Sequence, residues 1–127
     1  MARTLSVLFI GDIVGNPGMN AVRTFLPSFI QKYSAQCVII NGENIVNGKG
    51  LTEKEATELF ALGANVITTG NHVWENWQSR PLLASNPLVL RPLNYPAWNS
   101  RACRSSRRHW SGGDSRPRRG LRLKSRC

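Results

Sequence analysis

Three short polar clusters, Gly11-Asp12, Gly42-Glu43-Asn44 and Gly70-Asn71-His72, carry the side chains of this sequence that could do chemistry. Together they offer two carboxylates, two carboxamides and an imidazole. That mixed oxygen and nitrogen donor set suits a divalent first-row metal better than calcium or a thiolate site. A carboxylate can bridge two metals, and two metals about 3.5–4 Å apart can hold a hydroxide and a phosphate together. The neighbouring glycines let the backbone turn sharply and approach an anion. Each residue also has an ordinary reading. Asp12 and Asn16 can serve as turn and N-cap residues of a loop. Asn41, Asn44 and Asn47 are common loop residues, and a lone His72 is more often packed or at the surface than reactive. Glu43 is harder to dismiss, because a carboxylate at the end of a buried strand is costly unless paired or metal-bound. The joint placement of the clusters carries the argument.

That placement depends on the elements around them. Leu5 to Ile10 (LSVLFI) is a short apolar run that reads as a strand buried on both faces. Asn16-Pro17 offers an N-cap and an N1 proline for a following helix. Val22, Phe25, Leu26, Phe29, Ile30 and Tyr33 form its apolar stripe for packing on a sheet, with Pro27 expected to kink it. Cys37 to Ile40 (CVII) is a second buried run. Thr52 and Glu55 make a capping box, Ala56, Leu59 and Phe60 the next stripe, and Gly63 stands where a C′ glycine belongs. Asn65 to Thr69 is the third strand. Trp74 to Ser85 reads as a short helix with Trp74 and Trp77 on one packing face, and Leu88 to Leu90 as a further strand among prolines. The order β-α-β-α-β predicts an α/β fold with a parallel sheet sandwiched by helices. In such sheets the site lies beyond the carboxyl ends of the strands, where all three polar clusters fall.

Composition divides the chain in two. The 127 residues carry a net charge of +10, but residues 1–96 hold seven Lys/Arg against six Asp/Glu, and residues 97–127 hold ten against Asp114 alone. The basic character belongs to the tail, so residues 1–96 do not describe a basic nucleic-acid-binding domain. From Ala97 onward nine residues are Arg and six are Ser, with no Val, Ile or Phe, a composition that cannot bury a core and predicts disorder. Cys37, Cys103 and Cys127 have no paired spacing, which argues against a disulfide scaffold or structural zinc. No signal peptide or membrane helix is legible, and a cytoplasmic location is expected. Two other motifs fail. Gly42 to Lys49 misplaces Gly48-Lys49 for a phosphate loop and puts Glu43 where phosphate would be repelled, and GDIVG lacks the dinucleotide pattern.

LFIGDIVGNPG, VIINGENIVNGKGLT, ANVITTGNHVW and LRPLNYP, running in order from about Leu5 to Pro96, resemble the successive motifs of the YmdB-like branch of calcineurin-type metallophosphoesterases. The resemblance implies a four-layer αββα sandwich, of which residues 1–96 would supply the N-terminal half. It also implies a centre of two divalent metals, iron or manganese, and hydrolysis of 2′,3′-cyclic nucleotides such as 2′,3′-cAMP. Carried over by position, Asp12 and Asn44 would bind one metal, Glu43 would bridge both, Asn71 would bind the second, and His72 would give a proton to the leaving oxygen. The departure from the family pattern begins after Pro96. Codons for Trp98 to Cys103, read one nucleotide later, can spell the Gly-Thr-Pro-Gly-Arg-like stretch of the family, so residues 97–127 are expected to be a frame-shifted reading. The chain is then expected to be incomplete, short of the family's later histidines and of low activity. Its uncovered sheet face would favour association, including a homo-oligomer. The alternative is an inactive fragment whose Arg-rich tail, with Trp98 and Trp110, binds nucleic acid non-specifically.

Overall fold

The chain builds its sheet from four short strands, β1 (Val7–Ile10), β2 (Cys37–Asn41), β3 (Val66–Thr68) and β4 (Val89–Leu90). Between them run α1 (Gly15–Tyr33), α2 (Glu53–Ala61), a single 3₁₀ turn (Asn71–Trp74) and α3 (Ser79–Ser85). The computed structural model describes residues 4–94. The readings that concern residues 97–127, including disorder and nucleic-acid contact, lie outside the described residues. No helix among the described residues is long and apolar enough to cross a membrane.

All strand pairs are parallel, in the order β1-β2-β3-β4. When every crossover steps the same way with the same hand, each helix lands on the same face of the sheet. The core shows this. Met19, Val22 and Leu26 of α1, Ala56 and Leu59 of α2 and Leu82 of α3 form one buried cluster with Val38, Ile40, Ile67 and Val89. Ile10, Ile40, Ile67 and Val89 stand side by side in register, a row of aliphatic side chains beneath the helices.

Among the described residues the opposite face carries no helix, which corrects two expectations for this region: helices do not sandwich the sheet, and β1 is not buried on both faces. Val7 and Phe9 are exposed, Phe9 at 61%, as is Leu90, while Cys37, Ile39 and Val66 are half-buried. Residues 4–94 thus form two layers, one helical and one sheet, of the four that the resemblance implies. The apolar runs had suggested double-sided burial because both faces of these strands are hydrophobic.

Local readings of the helices need similar correction. The N-cap of α1 is Val14 rather than Asn16, no side chain caps it, and the helix runs through Pro27 without interruption. Of its stripe, Val22 and Leu26 are buried, but Phe25, Phe29 and Tyr33 are exposed. The helix joins the first two strands and sits at the sheet edge, so among the described residues its outer flank meets no second helix. The aromatic rings pack on one another instead, Phe25 and Phe29 stacked and Phe29 and Tyr33 tilted, with centroids 6.1 Å apart at each step. At α2, Thr52 is the N-cap, but its hydroxyl bonds to the Glu55 carboxylate rather than to a backbone N–H, so the capping box is not formed. Gly63 follows the C-cap Leu62 at φ +110°, as expected. The single helix read over Trp74 to Ser85 is broken: Asn76 accepts a hydrogen bond from the Gln78 N–H at 3.0 Å, an Asx turn ahead of α3, and Trp77 is 72% exposed rather than packed.

Truncation of the fully buried Ile40 to Ala removes the centre of the aliphatic row and should cost about 2–5 kcal/mol of stability in urea denaturation. Phe9→Ala on the open face should change it by no more than about 0.5 kcal/mol.

Candidate functional site

Parallel strands in register end at the same edge of the sheet, and there the three polar clusters meet. Beyond β1 the chain turns through Asp12, held at φ +47°, and is tied to the loop after β2 by backbone bonds. The Ile13 N–H donates to the Asn41 carbonyl at 3.3 Å and the Gly15 N–H to the Asn44 carbonyl at 3.1 Å, with Val14 bridged to Asn44. The side chains join as well: Asn44 Nδ2 donates to Asp12 Oδ1 at 2.6 Å. Asn44 Oδ1 is buried and has no hydrogen-bond partner among the described residues, and the same holds for Asn41 Oδ1 at the end of β2.

Glu43 links this pair to the third cluster. Its Oε2 accepts a hydrogen bond from the His72 backbone N–H at 3.4 Å, and the carboxylate lies directly against Gly70. A methyl group at position 70 would overlap the Glu43 carboxylate and push it aside, so glycine here leaves space for the carboxylate rather than serving an unusual φ. Asn71 opens the 3₁₀ turn on the same rim, exposed and without a side-chain hydrogen bond among the described residues. Asp12, Glu43, Asn44 and His72 are therefore brought together by direct bonds, whereas Asn71 is placed beside them by chain position alone.

The loop from Gly42 to Leu51 is held in shape by its neighbours. Positive φ at Asn47, Gly48 and Gly50 folds it tightly, with the Gly48 N–H bonded to the Asn44 carbonyl at 3.0 Å. Ser79, at the start of α3 and fully buried, clamps its end: the Oγ accepts from the Leu51 N–H at 3.0 Å and donates to the Leu51 carbonyl at 2.7 Å. Gly50 packs so closely on this clamp that a Cβ would lie 2.7 Å from Ser79 Oγ. The loop's other flank carries Lys49, whose Nζ is 3.0 Å from Glu75 Oε2, while Glu75 Oε1 is 2.8 Å from His72 Nδ1. Hydrogen bonds from Lys49 first and His72 second hold the Glu75 carboxyl below the usual carboxylate range. Sequence reasoning missed Ser79, Lys49 and Glu75. The three-residue spacing of His72 and Glu75 in one turn could have flagged the last, but no local signal marks Ser79, whose partner is 28 positions away.

No three His, Cys, Asp or Glu side chains gather as a metal cage among the described residues. The available donors are instead two carboxylates with carboxamides between them, and the orphaned Asn44 Oδ1 beside Asp12 is the kind of buried acceptor that a hard cation satisfies. These residues fit a divalent ion on one side of the rim.

A family model described as YmdB-like protein matches residues 8–104, past Pro96 where composition changes. The chain is 44% identical over 92 residues to a 2′,3′-cyclic-nucleotide 2′-phosphodiesterase of Bacillus subtilis, covering 72% of this chain and 35% of that protein. Among solved structures, a hypothetical protein from Thermus thermophilus superimposes with a TM-score of 0.65 at 42% identity, over 72% of this chain and 35% of the other. A novel phosphatase of Mycoplasma pneumoniae gives a TM-score of 0.71 at 35% identity, over 76% and 34%. The chain thus spans about a third of the length of the relatives it matches.

Replacing Ser79 by Ala leaves the buried Leu51 N–H and C=O without their clamp. A loss of about 1–3 kcal/mol in denaturant unfolding is expected, together with faster hydrogen exchange at the Leu51 amide.

Proposed function

This chain belongs to the YmdB-like family, and from that premise we propose that it carries part of the site of a metal-dependent phosphodiesterase acting on 2′,3′-cyclic nucleotides such as 2′,3′-cAMP. The observation that carries the reading is the buried, unpartnered Asn44 Oδ1 held beside the Asp12 carboxylate at the meeting point of the strand ends. The name of the Bacillus subtilis relative supplies the substrate class.

In this reading Asp12, Glu43, Asn44 and Asn71 would hold a pair of divalent ions, Asp12 and Asn44 one of them and Asn71 the other, with Glu43 shared; the family resemblance implies iron or manganese. Bound ions would polarise the phosphoryl oxygens and lower the pKa of water. The chain's own contribution is placement. Asn44 Nδ2 steadies Asp12, leaving Oδ1 to face a cation. Gly70 and the His72 N–H fix the Glu43 carboxylate, an outer-shell arrangement of the kind that tunes metal sites. The protonated His72 ring delivers a proton to the ribose oxygen as the P–O bond breaks, while a water oxygen bonds to phosphorus and releases its proton to solvent, from which the ring is reprotonated, so the diester yields a monoester and a free hydroxyl.

Manganese titration of the full chain by calorimetry should show binding that Asp12→Asn and Glu43→Gln abolish and that Gly70→Ala weakens about 10–100-fold. His72→Ala should leave that affinity unchanged and lower hydrolysis of 2′,3′-cAMP by about 10²–10⁴-fold. Metal loss in His72→Ala would make the imidazole a ligand instead, and a wild-type chain that binds no manganese would end the reading.

A further inference from the structure

The His72 ring meets a carboxylate in its own turn. Its Nδ1 meets Glu75 Oε1 at 2.8 Å, and the second oxygen of the same carboxylate meets Lys49 Nζ at 3.0 Å. Both oxygens of Glu75 are thus engaged, one by each partner. The three residues come from two different loops: Lys49 from the segment that leaves β2, His72 and Glu75 from the turn that leaves β3. Because the Lys49 ammonium can only donate and an ionised carboxylate can only accept, the atom on the other oxygen must also donate. In the neutral ring the proton therefore sits on Nδ1, and in the imidazolium Nε2 carries the second.

We propose that Glu75, anchored by Lys49, is a positioning residue that grips Nδ1–H and fixes the orientation of His72, so that Nε2, which carries the second proton in the imidazolium that acts as donor, is the ring atom presented to the leaving group. The inference rests on the reading of His72 as proton donor. Several observations make the arrangement directional. Glu75 follows His72 by three residues, and its own N–H donates to the His72 carbonyl at 3.1 Å, so backbone and side chain hold the same pair from two sides. Lys49 is carried by a loop whose shape Gly50 and Ser79 impose, and Asn76 Nδ2 reaches the Lys49 carbonyl at 3.4 Å, which ties that loop to the turn beyond Glu75. Lys49 and Glu75 are exposed and His72 is partly so, and such a pairing contributes little to stability. Its consequence is geometric. A ring free to rotate about χ1 and χ2 would spend most of its time with neither nitrogen in line with the scissile bond, and proton transfer depends on reach before acidity. One carboxylate gripping Nδ1 removes that freedom and leaves the opposite nitrogen for the substrate, the role that an acidic partner plays for histidine in hydrolytic triads.

The test is nitrogen-15 NMR of the ring in the full chain at a pH where the imidazole is neutral. The sequence has two histidines, so a His109→Gln variant assigns His72. The wild type should show Nδ1 protonated and Nε2 bare. Glu75→Ala should shift the ring toward the Nε2–H form, and Lys49→Ala should do so in part. Lys49→Arg, which restores the ion pair, should recover the wild-type pattern. Manganese affinity should remain unchanged in all three, and where 2′,3′-cAMP hydrolysis is followed, Glu75→Ala should lower kcat about 10–100-fold with KM unaltered. An Nε2–H ring in the wild type, or an Nδ1–H ring that survives Glu75→Ala, overturns the proposal. The NMR result stands apart from turnover: if His72→Ala leaves hydrolysis intact, the proton-donor reading fails, and with it Glu75's part in the reaction, whatever the ring shows.

Discussion

The register of the parallel sheet is the constraint on which everything else depends. Ile10 lies opposite Ile40, Ile40 opposite Ile67 and Ile67 opposite Val89. Because parallel neighbours advance together, the residues just beyond that row emerge at one edge and at one level. Gly11-Asp12, Gly42-Glu43-Asn44 and Gly70-Asn71-His72 are remote in sequence, yet each lies within a few residues of its strand end. A slip of one residue would turn every side chain to the opposite face and bury what should be exposed. The same aliphatic row that stabilises the core therefore also aligns the polar rim, and stability and site geometry are one property of these strands.

Above that edge, close packing does what the strands cannot. The loops are short of regular structure, so their polar groups must be satisfied by each other. Ser79 takes both backbone groups of Leu51, Asn44 takes Asp12, and the His72 N–H takes Glu43. Two glycines make this possible for different reasons. Gly50 is needed both for its left-handed φ and for the room it leaves to Ser79, Gly70 only for the room it leaves to a carboxylate. The unsatisfied carboxamide oxygens, Asn41 Oδ1 and Asn44 Oδ1, lie where the loops converge rather than at random positions in the core. Buried acceptors without partners are costly in a folded protein and mark the place where a ligand is best accommodated.

The sheet's open face has the opposite character. Val7, Phe9 and Leu90 are apolar and exposed, while the residues that alternate with them face the helices. Strands with hydrophobic residues on both sides are the mark of sheets covered on both sides. The described residues cover one, and the relatives of known structure are about three times as long as the matched region. The Phe25-Phe29-Tyr33 ladder on the outer flank of α1 is exposed for a similar reason, since among the described residues nothing packs beyond the helix at that edge of the sheet.

Much of this was legible in the sequence, because the signals are local and strong. Short β-branched runs separated by amphipathic stretches specify a parallel α/β order, glycine after Leu62 ends a helix, and polar clusters at strand ends predict where chemistry gathers. Periodicity could not show which face of a doubly apolar strand is covered, since burial depends on what packs there and not on the strand's own residues. It placed Phe25 and Phe29 in the core for the same reason, and it joined Trp74 to Ser85 because the Asn76 turn that divides them is a side-chain bond rather than a break in hydrophobicity. The roles of Ser79, Gly70, Lys49 and Glu75 were decided by tertiary structure. Apart from the short-range pairing of Glu75 with His72, each acts on a residue in another loop, and the distances that define those partnerships exist only once the sheet has brought the loops to one edge.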